Sequence, residues 1–161
     1  VRLDLATHRS APLPQIIDHL HRVSDNLESQ CLFYMMGERK GFAPAVALKQ
    51  HWEGRGVEFS GLRLIDGSGL ARAGMIRPLD LARINHLARR GVHGERFRQS
   101  LSVYLDGAVR SKLGAMSGVK TDVGFLTTSD GRELTYCLMA NGLDTAVNFW
   151  PLREKLLRAV R

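Results

Sequence analysis

A chain of 161 residues, 44% hydrophobic and 24% charged, has the composition of one ordinary globular domain rather than a disordered one. No stretch approaches the ~18 consecutive apolar residues that a membrane helix requires. The net charge of +7 is built from 23 Lys and Arg against 16 Asp and Glu, and the arginines are scattered one or two at a time. Without clustering and interleaved aromatics, that pattern argues against a nucleic-acid surface and is compatible with solvated basic faces or an anionic polymer as partner.

The opening Val1-Arg2-Leu3-Asp4, with neither Met nor an apolar leader, is expected of a chain that begins inside a longer protein. The first third reads as helical. After Pro12-Leu13-Pro14, residues Ile16, Ile17, Leu20 and Val23 share one helix face. Asp25 followed by Glu28 marks a second helix start, with Leu27, Cys31 and Tyr34-Met35 as its apolar stripe and Gly37 to Gly41 as its break. A third helix is expected over Pro44 to Trp52, stopped by Gly54-Arg55-Gly56. Leu62 to Ile65 is a short strand candidate that ends at Asp66-Gly67-Ser68-Gly69. Pro78 opens a helix running to about Arg90, and another is expected over Glu95 to Tyr104.

From Ala108 the apolar period changes to two. Strands are predicted over Ala108 to Leu113, Thr121 to Thr128 and Glu133 to Asn141, the last with Leu134, Tyr136, Leu138 and Ala140 on one face. Asp130-Gly131 predicts a type I′ hairpin between the second and third. Asn148 caps a final helix whose buried face is expected to carry Phe149, Leu152, Leu156 and Val160. The architecture is α+β: helices, then an antiparallel meander, then a covering helix. Three strands with one covering helix could fold alone, but they make a small sheet with two vulnerable edges, which suggests strands missing from this chain.

Cys31 and Cys137 are far apart and each reads as a small apolar residue rather than half of a disulfide. The histidines show neither an i,i+4 pair nor cysteine partners, so no metal or other cofactor is expected.

Two short motifs carry chemistry. Ser24-Asp25-Asn26 lies between two helical patterns, and Lys112-Leu113-Gly114 ends a predicted strand before a Gly-rich turn. An S-D-N followed by K-x-G is the pairing found in penicillin-binding proteins and β-lactamases. Around them stand Asp66-Gly67-Ser68-Gly69-Leu70-Ala71-Arg72, Ser117-Gly118-Val119, Gly124-Phe125-Leu126-Thr127-Thr128 and Asn141-Gly142. With these flanks, from about Ser10 to the last helix, the chain resembles the class C low-molecular-mass penicillin-binding proteins, D-alanyl-D-alanine carboxypeptidases/endopeptidases.

The resemblance implies a penicillin-binding-protein/serine β-lactamase-like fold, of which residues 1–161 are the C-terminal portion of a single DD-peptidase domain. It implies peptidoglycan stem peptides as substrate, β-lactams as ligands of the full-length protein, and an extracytoplasmic or periplasmic location. It gives Ser24 a proton relay toward the leaving amine, and Asn26 the substrate amide and the nucleophile's lysine. Lys112 would draw the terminal carboxylate, and the strand through Leu113, Gly114 and Ala115 would pair with the peptide and lend an oxyanion-hole N–H. The rival for Ser24 and Asp25 is plain helix capping, and for Lys112 an exposed strand lysine. Ser68 reads as a structural member of a turn organised by Asp66.

Three departures stand out. The nucleophile's S-x-x-K is not upstream in this chain; the single match, Ser117-Gly118-Val119-Lys120, falls in a predicted turn. Leu113 replaces the family's Thr or Ser, removing a hydroxyl that would bind the terminal carboxylate. The stretch between Arg90 and Arg110 also lacks a D-G-T-L-like segment. The chain alone is therefore expected to be inactive, and a degenerate relative that binds peptides or a protein partner without turnover is the alternative.

Overall fold

The computed structural model describes residues 6–144 and 147–161, which form six helices and one four-stranded antiparallel sheet. Helix α1 (Leu13–Val23) opens on prolines, where a missing N–H costs nothing, and ends at Ser24. Helix α2 (Asn26–Lys40) is capped by Asp25, whose carboxylate accepts the Glu28 N–H at 2.8 Å. Gly37 does not interrupt it. A Cβ there would collide with Phe42 and Pro44 at the start of α3 (Pro44–Glu53), so Gly37 is a close-packing position inside the helix. The helix ends instead at Gly41, in the left-handed region at φ 67°. The buried residues of α2 are Phe33 and Gly37, whereas Leu27, Cys31, Tyr34 and Met35, expected as its packed stripe, are exposed.

Leu62 to Ile65 is not a strand: only Arg63 pairs, in an isolated bridge with Met75. The loop after it is held by one carboxylate. Asp66 accepts the Ser68 hydroxyl at 2.7 Å and the backbone N–H groups of Gly69, Leu70 and Ala71 at 3.0 to 3.1 Å. Burial opposes the ionised form of Asp66, but these bonds outweigh it and hold its pKa below the ordinary value. Gly67 seats the loop on α2, donating its N–H to the Gln30 amide oxygen at 2.8 Å, where a side chain would strike Phe33.

After α4 (Pro78–Arg90) the next helix, α5 (Gly94–Ser100), stops four residues short of the expected Tyr104. Ser102–Tyr104 instead forms β1, paired with β2 (Val109–Met116) across a turn in which Leu105, Asp106 and Gly107 all have positive φ. The chain thus supplies a fourth strand itself, from residues expected to be helical. Strands β2, β3 (Val119–Thr127) and β4 (Glu133–Asn141) follow the predicted meander with longer β2 and β3. The β3–β4 turn is not type I′, because Gly131 has positive φ and Asp130 does not. Thr128 pairs with Arg132 through the Thr128 N–H, and the Gly131 N–H returns to Thr128 O, a three-residue loop with its left-handed residue at Gly131.

Helix α6 (Phe149–Val160) is capped by Asn148 and lies on one sheet face, while α4 and α5 occupy the other side. Its buried residues are Phe149, Arg153 and Leu157; Leu152, Leu156 and Val160 are exposed. The stripe expected from hydrophobicity is displaced because an arginine takes its centre. Leu157 joins Leu105, Val109 and Leu126 in the core, with Tyr136 and Leu138 packed alongside on the predicted face of β4. No helix among the described residues is long and apolar enough to cross a membrane.

Candidate active site

The S-D-N triplet divides its labour among two helices. Ser24 is the last residue of the α1 junction, in the left-handed region at φ 60° and ψ 48°, with its N–H bonded to Leu20 O. That conformation is costly for a residue with a Cβ. Asp25 caps α2, as the capping reading has it, and Asn26 is the first residue of α2. The strained junction turns Ser24 toward the sheet, where the Lys112 ammonium donates to Ser24 Oγ at 2.5 Å. The two residues are 88 positions apart in sequence. Lys112 also donates to Leu113 O at 2.9 Å, and burial lowers its pKa.

A cavity of about 680 Å³ opens at this contact. All six residues singled out from the sequence line it: Ser24 and Asn26 from the helices, and Lys112, Leu113, Gly114 and Ala115 from β2. Gly67, Ser68 and Gly69 of the Asp66 loop form another wall. Ser68 is engaged with Asp66, which fits its structural reading. The Asn26 side chain makes no hydrogen bond with the described residues and is free toward the cavity.

The sheet leaves β2 open where it borders the cavity. Strand β1 pairs only with Val109, Arg110 and Ser111, so from Lys112 to Met116 the opposite edge has no strand partner among the described residues. An exposed edge of that kind is a template for an extended peptide. The pleat puts Lys112 and Gly114 on the cavity face with Val123 and Thr121 of β3 opposite them, while the Leu113 side chain shares the α6 face with Ser111 and Asp122. The chain's S-x-x-K match spans the β2–β3 turn: Ser117 is exposed, Gly118 has φ 74°, and no helix starts there.

Two features were not foreseen. His21, one helical turn before Ser24, lines the same cavity. Its Nδ1 lies 2.7 Å from Ser100 Oγ, which also lies 2.7 Å from Phe97 O. Burial, reinforced by the Lys112 charge, lowers the His21 pKa. Edge-to-face ring contacts from His21 to Phe97 and from Phe97 to Phe125 tie α1 to the sheet. The i,i+3 spacing of His21 and Ser24 was the available signal.

The second feature lies behind β2. Asp122 is fully buried, with Oδ2 accepting from Arg153 Nε at 2.6 Å and from the Tyr136 hydroxyl at 2.7 Å. Arg153 also reaches Ser111 Oγ at 3.3 Å and stacks on the Tyr104 ring. Burial and the Asp122 charge raise the Tyr136 pKa, and push the Cys137 thiol up to about 11. Nothing in the β period announces a carboxylate at a buried position. Both cysteines are free; no group of residues suited to hold a metal ion occurs among the described residues.

With this geometry in view, comparison with known proteins is decisive. The model of the D-Ala-D-Ala carboxypeptidase 3 (S13) family matches residues 2–149. The chain belongs to that family. It is 28% identical to the D-alanyl-D-alanine carboxypeptidase DacB of Haemophilus influenzae over 163 residues, covering 88% of this chain and 34% of that protein. It is 26% identical to the D-alanyl-D-alanine carboxypeptidase of an Actinomadura species, covering 86% of this chain and 30% of the relative. This S13 chain therefore spans about a third of the length of the curated relatives it matches. Among solved structures, penicillin binding protein 4 (dacB) of Haemophilus influenzae superposes with TM-score 0.79 at 20% identity, over 93% of this chain and 41% of that one. The TLA-1 extended-spectrum β-lactamase superposes with TM-score 0.67 at 13% identity, over 90% of this chain and 60% of that one. The fold of this S13 member is accordingly the penicillin-binding-protein/serine β-lactamase one expected from its motifs.

Proposed function

We propose that this chain is the C-terminal portion of the DD-peptidase domain of a serine-type D-alanyl-D-alanine carboxypeptidase/endopeptidase acting on peptidoglycan stem peptides. The observation that carries the reading is the Lys112–Ser24 contact, formed across 88 residues at the mouth of a cavity that Asn26 and the open edge of β2 also line. An extended peptide adds to the edge from Lys112 to Met116, with its terminal carboxylate drawn by the Lys112 ammonium. A serine outside this chain, in an S-x-x-K motif, attacks the carbonyl between the two D-alanines. The new C–O bond replaces the C–N bond, and the departing amine takes a proton relayed through the Ser24 hydroxyl. Asn26 holds the peptide amide, and the Ala115 backbone N–H stabilises the oxyanion. Water then releases the acyl group. The substrate places the site outside the cytoplasm, and β-lactams act as ligands of the complete domain; a β-lactam complex of the Haemophilus influenzae relative supports that assignment.

The second reading is a relative that binds stem peptides without turnover, and the observation favouring it is Leu113, which offers no hydroxyl. NMR titration of the chain with an N-acetylated peptide ending in D-Ala-D-Ala tests recognition. Resonances of Ser24, Asn26 and Lys112 to Ala115 shift, those with an L-Ala-L-Ala ending do not, and Lys112→Met abolishes the response. Equal or absent responses to both peptides refute the reading. Acylation by a fluorescent penicillin of a polypeptide joining this chain to its S-x-x-K segment separates turnover from binding alone.

A further inference from the structure

Leu113 stands where the family has Thr or Ser, and its side chain lies on the α6 face; a different hydroxyl stands on the cavity face of the same sheet. In the β2–β3 register Gly114 lies opposite Thr121 and Lys112 opposite Val123, so Thr121 and Lys112 share the cavity face. A Cβ built on Gly114 would run into Thr121 Oγ1: the hydroxyl occupies the space that glycine leaves open above the strand. Thr121 lines the cavity and its hydroxyl is bonded to none of the described residues. The other hydroxyls there are differently placed. Ser24 is held by Lys112, Ser68 by Asp66, and Ser29 belongs to α2 rather than to the strands.

We propose that Thr121 is a specificity-determining residue, its hydroxyl donating to the terminal carboxylate of the bound peptide. The inference rests on the proposed recognition of acyl-D-Ala-D-Ala peptides and adds to it the group that distinguishes a free carboxylate. Lys112 supplies positive charge, and Thr121 supplies a directed hydrogen bond on the same face. Gly114 is what allows them to act together, since any larger residue there would displace the hydroxyl.

The test is NMR titration of the chain with an N-acetylated tripeptide ending in D-Ala-D-Ala and with its C-terminal amide. Wild type prefers the free acid. Thr121→Val weakens acid binding about tenfold, the loss of one hydrogen bond to a charged group, and leaves amide binding unchanged. Thr121→Ser retains the preference. In wild-type protein the Thr121 methyl resonance shifts with the acid and not with the amide, a readout independent of how the variant folds. An unaltered acid-to-amide preference in Thr121→Val, or a Thr121 methyl silent to the acid while Lys112 and Ser24 respond, overturns the role of Thr121 alone. Failure of every cavity resonance to respond to the acid overturns the recognition reading and this inference with it.

Discussion

Removing Arg153 exposes how much of this fold rests on one buried ion pair. Arg153 is 6% exposed and Asp122 not at all, and their 2.6 Å contact joins α6 to β3 directly behind the Lys112 strand. With Arg153→Met, the Asp122 carboxylate stays buried with only the Tyr136 hydroxyl as partner, since Oδ1 already has none. Stranding one member of such a pair costs ~3–5 kcal/mol. Against a total stability of about 5–15 kcal/mol, that is a large fraction. With a urea m-value of about 2 kcal/mol/M, the midpoint falls by about 2 M. The double variant Asp122→Leu/Arg153→Met removes both charges and recovers to within about 2 kcal/mol of wild type; the residue of the loss comes from the bonds that the Tyr136 and Ser111 hydroxyls made to the pair. Urea unfolding followed by circular dichroism measures all three proteins. A loss below about 1 kcal/mol in Arg153→Met would refute the claim that the pair is desolvated and holds α6 to the sheet.

Two further outcomes follow from the α1–α2 junction. Because Ser24 sits at φ 60°, Ser24→Gly is more stable than Ser24→Ala by about 1 kcal/mol, the reverse of the order inside a helix, although both lose the hydroxyl; equal stabilities in urea unfolding would remove the strain from the argument. His21 has a folded pKa below its ordinary 6.5, so the unfolded chain binds the proton more readily. Its contribution is intact above pH 6.5 and is lost as pH falls from there through the folded value. His21 faces the Lys112 and Asp18 charges, so the unfolding midpoint is compared at pH 7.5 and pH 5 in wild type and His21→Gln, and the variant shows the smaller fall.

The family, the helical first third and the β meander were legible because their signals are local. Asp25 caps α2 through bonds three residues long, and the alternation of Leu134, Tyr136 and Leu138 assigns one face of β4 without reference to anything distant. The motif residues were legible too, because Ser24-Asp25-Asn26 and Lys112-Leu113-Gly114 are short contiguous stretches that the chain itself spells out. Local signals failed where a distant partner overrode them. Ser102–Tyr104 leaves the helical pattern because β2 offers it a ladder, and α6 turns Arg153 inward because Asp122 waits there. The exposed Leu152, Leu156 and Val160 record the same override.

What the sequence alone determined is therefore the list of parts: S-D-N at a helix junction, K-x-G on a strand, and the aspartate loop between them. Only the tertiary structure decided which parts meet. Hairpin pairing over the Ser117-Gly118 turn sets Thr121 above Gly114, and docking of α1 on the sheet through Phe97 and Phe125 brings Ser24 to Lys112. The Ser24–Lys112 contact joins residues 88 apart, so its free energy is gained only once the sheet and its helices have closed, while the hairpin register depends on strand pairing that the apolar period alone does not encode.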